Sequence, residues 1–232
     1  MAIVDRLVLF DIDGTLIKTG RAGLRGMNAA FQRLHGRSDA LEGISFAGRT
    51  DRAIVTDIFR ALGLDAGTEV MEELREAYLD HLAEEIRKPV PDCEVLPGVE
   101  ASLEALESRE EVGLGLLTGN YQRGAAIKLG HFGLWERFAF GAFGDAHADR
   151  RQLVPIAIAE AERTLGVRVP PARVVVIGDT PLDVDCARAH GAVAVAVATG
   201  PFSPAELAAS SPDLVLETLE DLSALLGVVS AM

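Results

Sequence analysis

Short, mostly apolar runs that do not alternate with polar residues recur along this chain. They are Ile3 to Phe10, Val112 to Leu117, Arg173 to Ile177, Ala192 to Val197 and Leu214 to Leu216. A strand covered on both faces reads as a continuous apolar run, so each run predicts a buried parallel strand. Between them the period changes. Val99, Leu103 and Leu106 recur at three and four residues, and Ile156, Ala157, Ala161 and Leu165 gather near one face of a helix from Leu153 to Leu165. Strands alternating with helices of this length predict an α/β domain, a doubly wound parallel sheet with right-handed crossovers.

The stretch 18–88 breaks that alternation. Leu24, Met27, Phe31 and Leu34 form one helical stripe, Ile54, Val55, Ile58, Phe59 and Leu62 a second, and Val70, Met71, Leu74, Tyr78 and Leu82 a third. No strand is expected among them, so residues 18–88 are expected to be a helical cap domain inserted after the first strand. Pro89, Pro91 and Pro97 mark the return, since proline restricts its own φ and disfavours helix in the residue before it. The α/β core is then expected at 1–17 and 89–232.

Composition narrows the classes. Apolar residues make up 49% and charged residues 25%, which is ordinary for a globular chain. With 22 basic and 35 acidic residues the net charge is −13, which argues against broad contact with nucleic-acid phosphates or an anionic membrane. No apolar segment approaches a membrane span or the core of a signal peptide, so a cytoplasmic protein is expected. Cys93 and Cys186 form no CxxC pair, which argues against a disulfide scaffold or a thiolate zinc site. His131 and His147 have no second histidine at ligand spacing.

The acids sit where chemistry is expected. Asp11 and Asp13 follow the first strand directly, and ligands of open parallel sheets favour the crevice beyond the carboxyl ends of strands. Alone, such a pair is equally a turn or a calcium loop. Gly178-Asp179-Thr180-Pro181-Leu182-Asp183 follows a second strand, where Asp or Thr also suits a helix cap. Leu116-Leu117-Thr118-Gly119-Asn120 ends a third, with a hydroxyl and backbone amides; Thr118 or Asn120 also suits a cap. Together the three ends supply a nucleophile, metal ligands and an anion cradle.

DIDGT at 11–15, LLTGN at 116–120 and GDTPLD at 178–183, in that order, resemble the haloacid dehalogenase-like hydrolase superfamily, in particular its phosphoglycolate phosphatase-like branch with a small helical cap. The resemblance implies a Rossmann-like core and magnesium-dependent hydrolysis of a small phosphomonoester. Asp11 would be the nucleophile, forming an aspartyl phosphate, and Asp13 the acid and then the base. Mg2+ would be held by Asp11, the backbone carbonyl of Asp13 and Asp179, with Asp183 in support. Thr118, Gly119 and Asn120 would take the phosphoryl oxygens. An acid at position 13 sets the chain apart from the superfamily's dehalogenases and phosphonatases.

Where that family pattern carries a lysine before a helix, this chain has Asp149-Arg150-Arg151. Arg150 is the expected catalytic cation, with Arg151 the neighbouring alternative. Lys128, in Ala126-Ile127-Lys128-Leu129-Gly130, reads as a solvated helix position. Arg49, in the cap sequence Gly48-Arg49-Thr50-Asp51, is expected to reach substrate or to form a salt bridge. The expected partner is a small phosphorylated metabolite, with no nucleic acid or membrane, and the chain a monomer or homodimer. The alternatives are a phosphosugar mutase of the same superfamily and a non-catalytic metabolite-binding protein.

Overall fold

The computed structural model describes residues 4–232, so Ile3 of the expected first strand lies outside them. Along the chain run β1 (Arg6–Phe10), β2 (Ile17–Thr19), α1 (Ala22–His35), α2 (Asp51–Leu62), α3 (Thr68–Glu85), β3 (Cys93–Val95), α4 (Val99–Glu107), β4 (Val112–Leu117) and α5 (Gln122–His131). They are followed by β5 (Phe140–Ala142), α6 (Leu153–Leu165), β6 (Val174–Gly178), α7 (Pro181–Arg188), β7 (Val193–Val197), α8 (Pro204–Ala209), β8 (Leu214–Leu216) and α9 (Leu222–Ala231).

Six strands form one sheet in the order β5-β4-β1-β6-β7-β8, and every pairing is parallel. Within β1 the side chains alternate between two buried faces. Val8 and Phe10 join Leu103, Leu114, Leu116 and Ile177 on one side, while Leu7 and Leu9 join Val154, Val174, Val176 and Ala187 on the other. Two covered faces explain why the strands are apolar throughout. Phe10 lies opposite Leu116 of β4 and Ile177 of β6, so three strands end side by side. Chain order reverses across β1, which makes this edge the switch-point crevice of the sheet.

The three predicted stripes form α1, α2 and α3, which close over their own core of Phe31, Ile58, Phe59, Leu74 and Leu82. The rings of Phe31 and Phe59 lie 5.5 Å apart. The pattern did not anticipate β2 and β3, an antiparallel pair in which Ile17 faces Val95 and Thr19 faces Cys93. It joins the outgoing and returning chain at the base of the helical insertion. β5, at the sheet edge, was also unexpected. Each of these strands has three residues interrupted by Lys18, Glu94 or Gly141, so none gives the apolar run that the equally short Leu214–Leu216 does.

Cys186 is buried on α7 with its thiol against the Arg150 carbonyl, 3.2 Å away, and burial pushes its pKa up to about 12. No helix among the described residues is long and apolar enough to cross a membrane.

Candidate active site

Immediately after β1 the chain turns sharply. Gly14 takes φ +83°, and a Cβ there would stand 2.4 Å from Asp179 Oδ2. Glycine thus permits both the left-handed turn and the approach of Asp179. The Thr15 hydroxyl donates to Asp179 Oδ1 at 3.1 Å, and the Thr199 hydroxyl donates to the Gly14 carbonyl at 2.6 Å. The end of β1 is thereby tied to the ends of β6 and β7.

Asp11, Asp179 and Asp183 are all buried, with one carboxylate oxygen of each lying within 4.8 Å of the others. Burial, partly opposed by Arg150 and reinforced by Asp183, raises the pKa of Asp11 to about 6. Burial and the neighbouring carboxylates Asp183 and Asp11 push Asp179 well above the usual carboxylate range. The three acids repel one another, and a single guanidinium stands among them. The same donor set, hard oxygens only, can hold a divalent cation.

That guanidinium is Arg150, in the 3-10 turn that opens α6. Its Nη2 lies 2.5 Å from Asp183 Oδ1 and 3.2 Å from Asp11 Oδ1, and Nη1 donates to the Gly48 carbonyl at 3.1 Å. Arg151 points outward to Asp149 and Asp185 and is 55% exposed. Asp183 does two jobs: its Oδ2 accepts from the Thr180 amide and hydroxyl at 3.0 and 2.7 Å, capping α7, while Oδ1 fixes Arg150. The helix-cap alternative for this segment therefore coexists with a place in the site.

Thr118 is buried at the end of β4, where its Oγ1 accepts from Asn120 Nδ2 at 2.8 Å. A hydroxyl that accepts in this way keeps its own proton to donate. Gly119 touches the insertion directly: its carbonyl accepts from the Asp51 amide at 2.7 Å, and a Cβ would stand 2.2 Å from the Arg49 carbonyl. Thr50 caps α2, accepting from the Ala53 amide at 3.2 Å, and donates to the Ala148 carbonyl at 3.1 Å.

Two basic residues differ from expectation or from its first alternative. Lys128 is not solvated: only 5% exposed, it donates from Nζ to Asp13 Oδ2 at 2.6 Å and to Asn120 Oδ1 at 2.7 Å. Its partner lies 115 positions away, so local helical pattern carries no sign of the pairing. Arg49 takes up the salt-bridge alternative, its Nη2 lying 2.5 Å from Asp57 Oδ2, although it also lines the cavity over the site. Asp13, whose side chain is 42% exposed, turns away from the three-carboxylate cluster toward Lys128.

All these ends open into one cavity of about 870 Å³, walled by the strand-end loops and by the helical insertion, with Asp11, Asp13, Thr118, Arg49, Asp51 and Lys128 among its lining. Asp51 is the residue least foreseen as part of it. Its carboxylate accepts from the Tyr121 amide at 2.9 Å, and desolvation raises its pKa to about 6 against the opposing pull of Lys128.

A parallel sheet with acids gathered at its switch point, beneath a helical insertion, defines a hydrolase of the phosphatase type. The model of the haloacid dehalogenase-like hydrolases matches residues 8–197, and the chain belongs to that family. It is 28% identical over 215 residues to a phosphoglycolate phosphatase of Synechococcus elongatus, covering 93% of this chain and 94% of that protein. It is 29% identical over 221 residues to phosphoglycolate phosphatase 1 of Pseudomonas aeruginosa, covering 94% and 78%. Among solved structures, a hydrolase from Pseudomonas syringae superposes with TM-score 0.71 at 22% identity, over 97% of this chain and 99% of that one. CbbY from Rhodobacter sphaeroides in complex with phosphate superposes with TM-score 0.68 at 21% identity, over 94% and 96%. These structural likenesses establish the fold.

Proposed function

We propose that the protein hydrolyses a small phosphomonoester in two steps through an aspartyl phosphate on Asp11. The observation that carries the reading is the position of Asp11: at the end of the central strand, 3.2 Å from Arg150, at the floor of a cavity large enough for a metabolite. In the first step Asp11 attacks phosphorus, the bond to the substrate oxygen breaks, and Asp13 protonates the leaving alkoxide. In the second, Asp13 takes a proton from the water that attacks phosphorus, and Asp11 leaves as a carboxylate. Thr118 and the amides of Gly119 and Asn120 receive the phosphoryl oxygens. Arg150 orients Asp11 and adds positive charge where it builds up.

Three clustered carboxylates facing one guanidinium suit a dication, and Mg2+ is the proposed cofactor. Asp11, the backbone carbonyl of Asp13 and Asp179 would hold it, with Asp183 in support through Arg150. Bound there, Mg2+ would offset repulsion between the carboxylate and a phosphate dianion.

Residues 18–88 are the proposed cap domain over a core of 1–17 and 89–232, and the enzyme is proposed to act in the cytoplasm as a monomer or homodimer. The cap would choose the organic end of the substrate. Phosphoglycolate is the favoured substrate, supported by the names of the curated relatives and by Lys18 and Arg21, which line the cavity and make no ion pair among the described residues. Arg49 would exchange Asp57 for the substrate carboxylate.

The test is release of inorganic phosphate from a panel of phosphoglycolate, sugar phosphates, nucleoside monophosphates and pyrophosphate, with and without Mg2+. Wild type should require Mg2+, and Asp11→Asn should fall below about 1% of its rate while remaining folded. Arg49→Ala should lower kcat/KM roughly tenfold or more for phosphoglycolate, as expected for a lost charged hydrogen bond, and much less for a neutral phosphomonoester. Full turnover without Mg2+, or isomeric phosphate without net phosphate release, would sink the reading.

A further inference from the structure

The contacts of Lys128 form a closed set that the phosphoryl-transfer scheme leaves without a purpose. Its ammonium is buried, and burying such a group costs several kcal/mol unless it is paired and hydrogen-bonded. Asp13 Oδ2 and Asn120 Oδ1 supply that pairing. Lysine only donates, so the Asn120 amide must present its oxygen to Lys128 and its nitrogen elsewhere. That nitrogen donates to Asp13 Oδ2 at 2.9 Å and to Thr118 Oγ1 at 2.8 Å. Two donors thus converge on Oδ2 of Asp13, while Oδ1 receives none among the described residues.

A carboxylate that is 42% exposed has water to solvate it, and Asp51, whose charge Lys128 also favours, receives no hydrogen bond from it, so neither acid's stability explains why the ammonium bonds Asp13 Oδ2 and Asn120 Oδ1. A methionine at position 128 would fill the same space at lower desolvation cost. The arrangement therefore favours geometry over stability. We propose that Lys128 is a positioning residue: together with Asn120 it anchors Oδ2 of Asp13, so that Oδ1 alone exchanges protons during turnover.

The inference rests on the phosphomonoesterase reading and deepens it. In the first half-reaction the Asp11–phosphorus bond forms, the phosphorus–alkoxide bond breaks, and the alkoxide electron pair takes the proton from Oδ1. In the second, Oδ1 takes a proton from water as its oxygen bonds to phosphorus, and the Asp11 carboxylate leaves with its electron pair. Oδ2 stays in the grip of Lys128 and Asn120 throughout, so the carboxyl does not rotate between its two tasks.

The leaving group provides a readout that a merely structural lysine would not move. An alkyl phosphate needs the proton from Asp13, whereas p-nitrophenolate leaves without it, and kcat/KM reports only the steps through the first irreversible one. For Lys128→Met, kcat/KM on the best alkyl phosphomonoester of the panel should fall about 100-fold, with KM nearly unchanged. On p-nitrophenyl phosphate it should stay within about threefold. That substrate should instead show a burst of p-nitrophenolate, because hydrolysis of the aspartyl phosphate still needs the base. Lys128→Gln, which keeps a donor, should recover roughly tenfold on the alkyl substrate and carries the test if the methionine variant does not fold.

Equal losses on both substrates, or losses below about threefold on each, would overturn the inference. The Asp11→Asn control separates the two readings. If wild type turns over and Asp11→Asn does not, a uniform loss at Lys128 overturns this inference alone. If phosphate release survives Asp11→Asn, the phosphatase reading falls and this inference with it.

Discussion

Arg150 and Arg151 are consecutive, yet one is enclosed between two carboxylates and the other lies in solvent. Removing Arg150 would strand Asp11 and Asp183 as buried, uncompensated charges and free the Gly48 carbonyl. Breaking such a pair typically costs about 3–5 kcal/mol. We therefore expect Arg150→Ala to lose both turnover and stability, with Arg150→Lys intermediate because one ammonium cannot reproduce a fork that reaches several oxygens. Arg151→Ala should leave stability close to that of wild type, as the loss of an exposed pair does. Denaturant unfolding of the three variants measures this, and an Arg150→Ala protein as stable as wild type would contradict it. The sequence marks Arg150 as the expected catalytic cation but not as a buried one. Its burial is a property of three strand ends meeting, which no local window displays. The acids are legible because each stands directly after an apolar run. Lys128 is not, because its partner comes from another strand end.

At the scale of elements, the first turn of α2 is where the insertion meets the sheet. Thr50 caps the helix, and the Asp51 amide and carboxylate both bond to the loop after β4. Asp51 has its pKa raised to about 6, mainly by desolvation, above the ordinary 3.8. Its folded pKa exceeds its unfolded one, so its contribution is most favourable below about pH 4 and is lost as pH rises through 6. Asp51→Asn removes that dependence while keeping an acceptor for the Tyr121 amide. Relative to wild type, the variant should gain up to about 3 kcal/mol between pH 4 and pH 7.5, from a shift of about two units. A stability difference that stays flat with pH would refute the assignment. The long elements here are legible for a simple reason: apolar stripes over α1 to α3 and apolar runs in β1, β4, β6 and β7 each repeat their signal several times. β2, β3 and β5 repeat it once at most, and they exist because neighbouring chain segments pair, not because their own residues demand it.

For the whole molecule, the parallel sheet gathers acids at one edge of a chain that already carries −13. Crowded, buried carboxylates weaken the fold as they ionise. The raised pKa of Asp11, about 6, means stability present at acid pH is lost as pH rises through that value, and the raised pKa of Asp179 adds in the same direction. A bound dication reverses this, because it binds the ionised carboxylates and must displace protons wherever they are protonated. Mg2+ should therefore raise Tm more at pH 7.5 than at pH 5. At a hundred times its Kd the stabilisation is about 2.7 kcal/mol, or roughly 5–10 °C for a chain of this length. Asp179→Asn should abolish most of the shift and leave the metal-free protein at least as stable as wild type at pH 7.5, since it removes one of three repelling charges. Asp13→Asn should keep the shift, because that side chain points to Lys128 and only its backbone carbonyl is assigned to the metal. Scanning calorimetry of the three proteins at both pH values, with Mg2+ and with chelator, reads all of this at once. A shift that is larger at pH 5, or equal in Asp179→Asn and wild type, would place the ion somewhere other than the strand-end cluster.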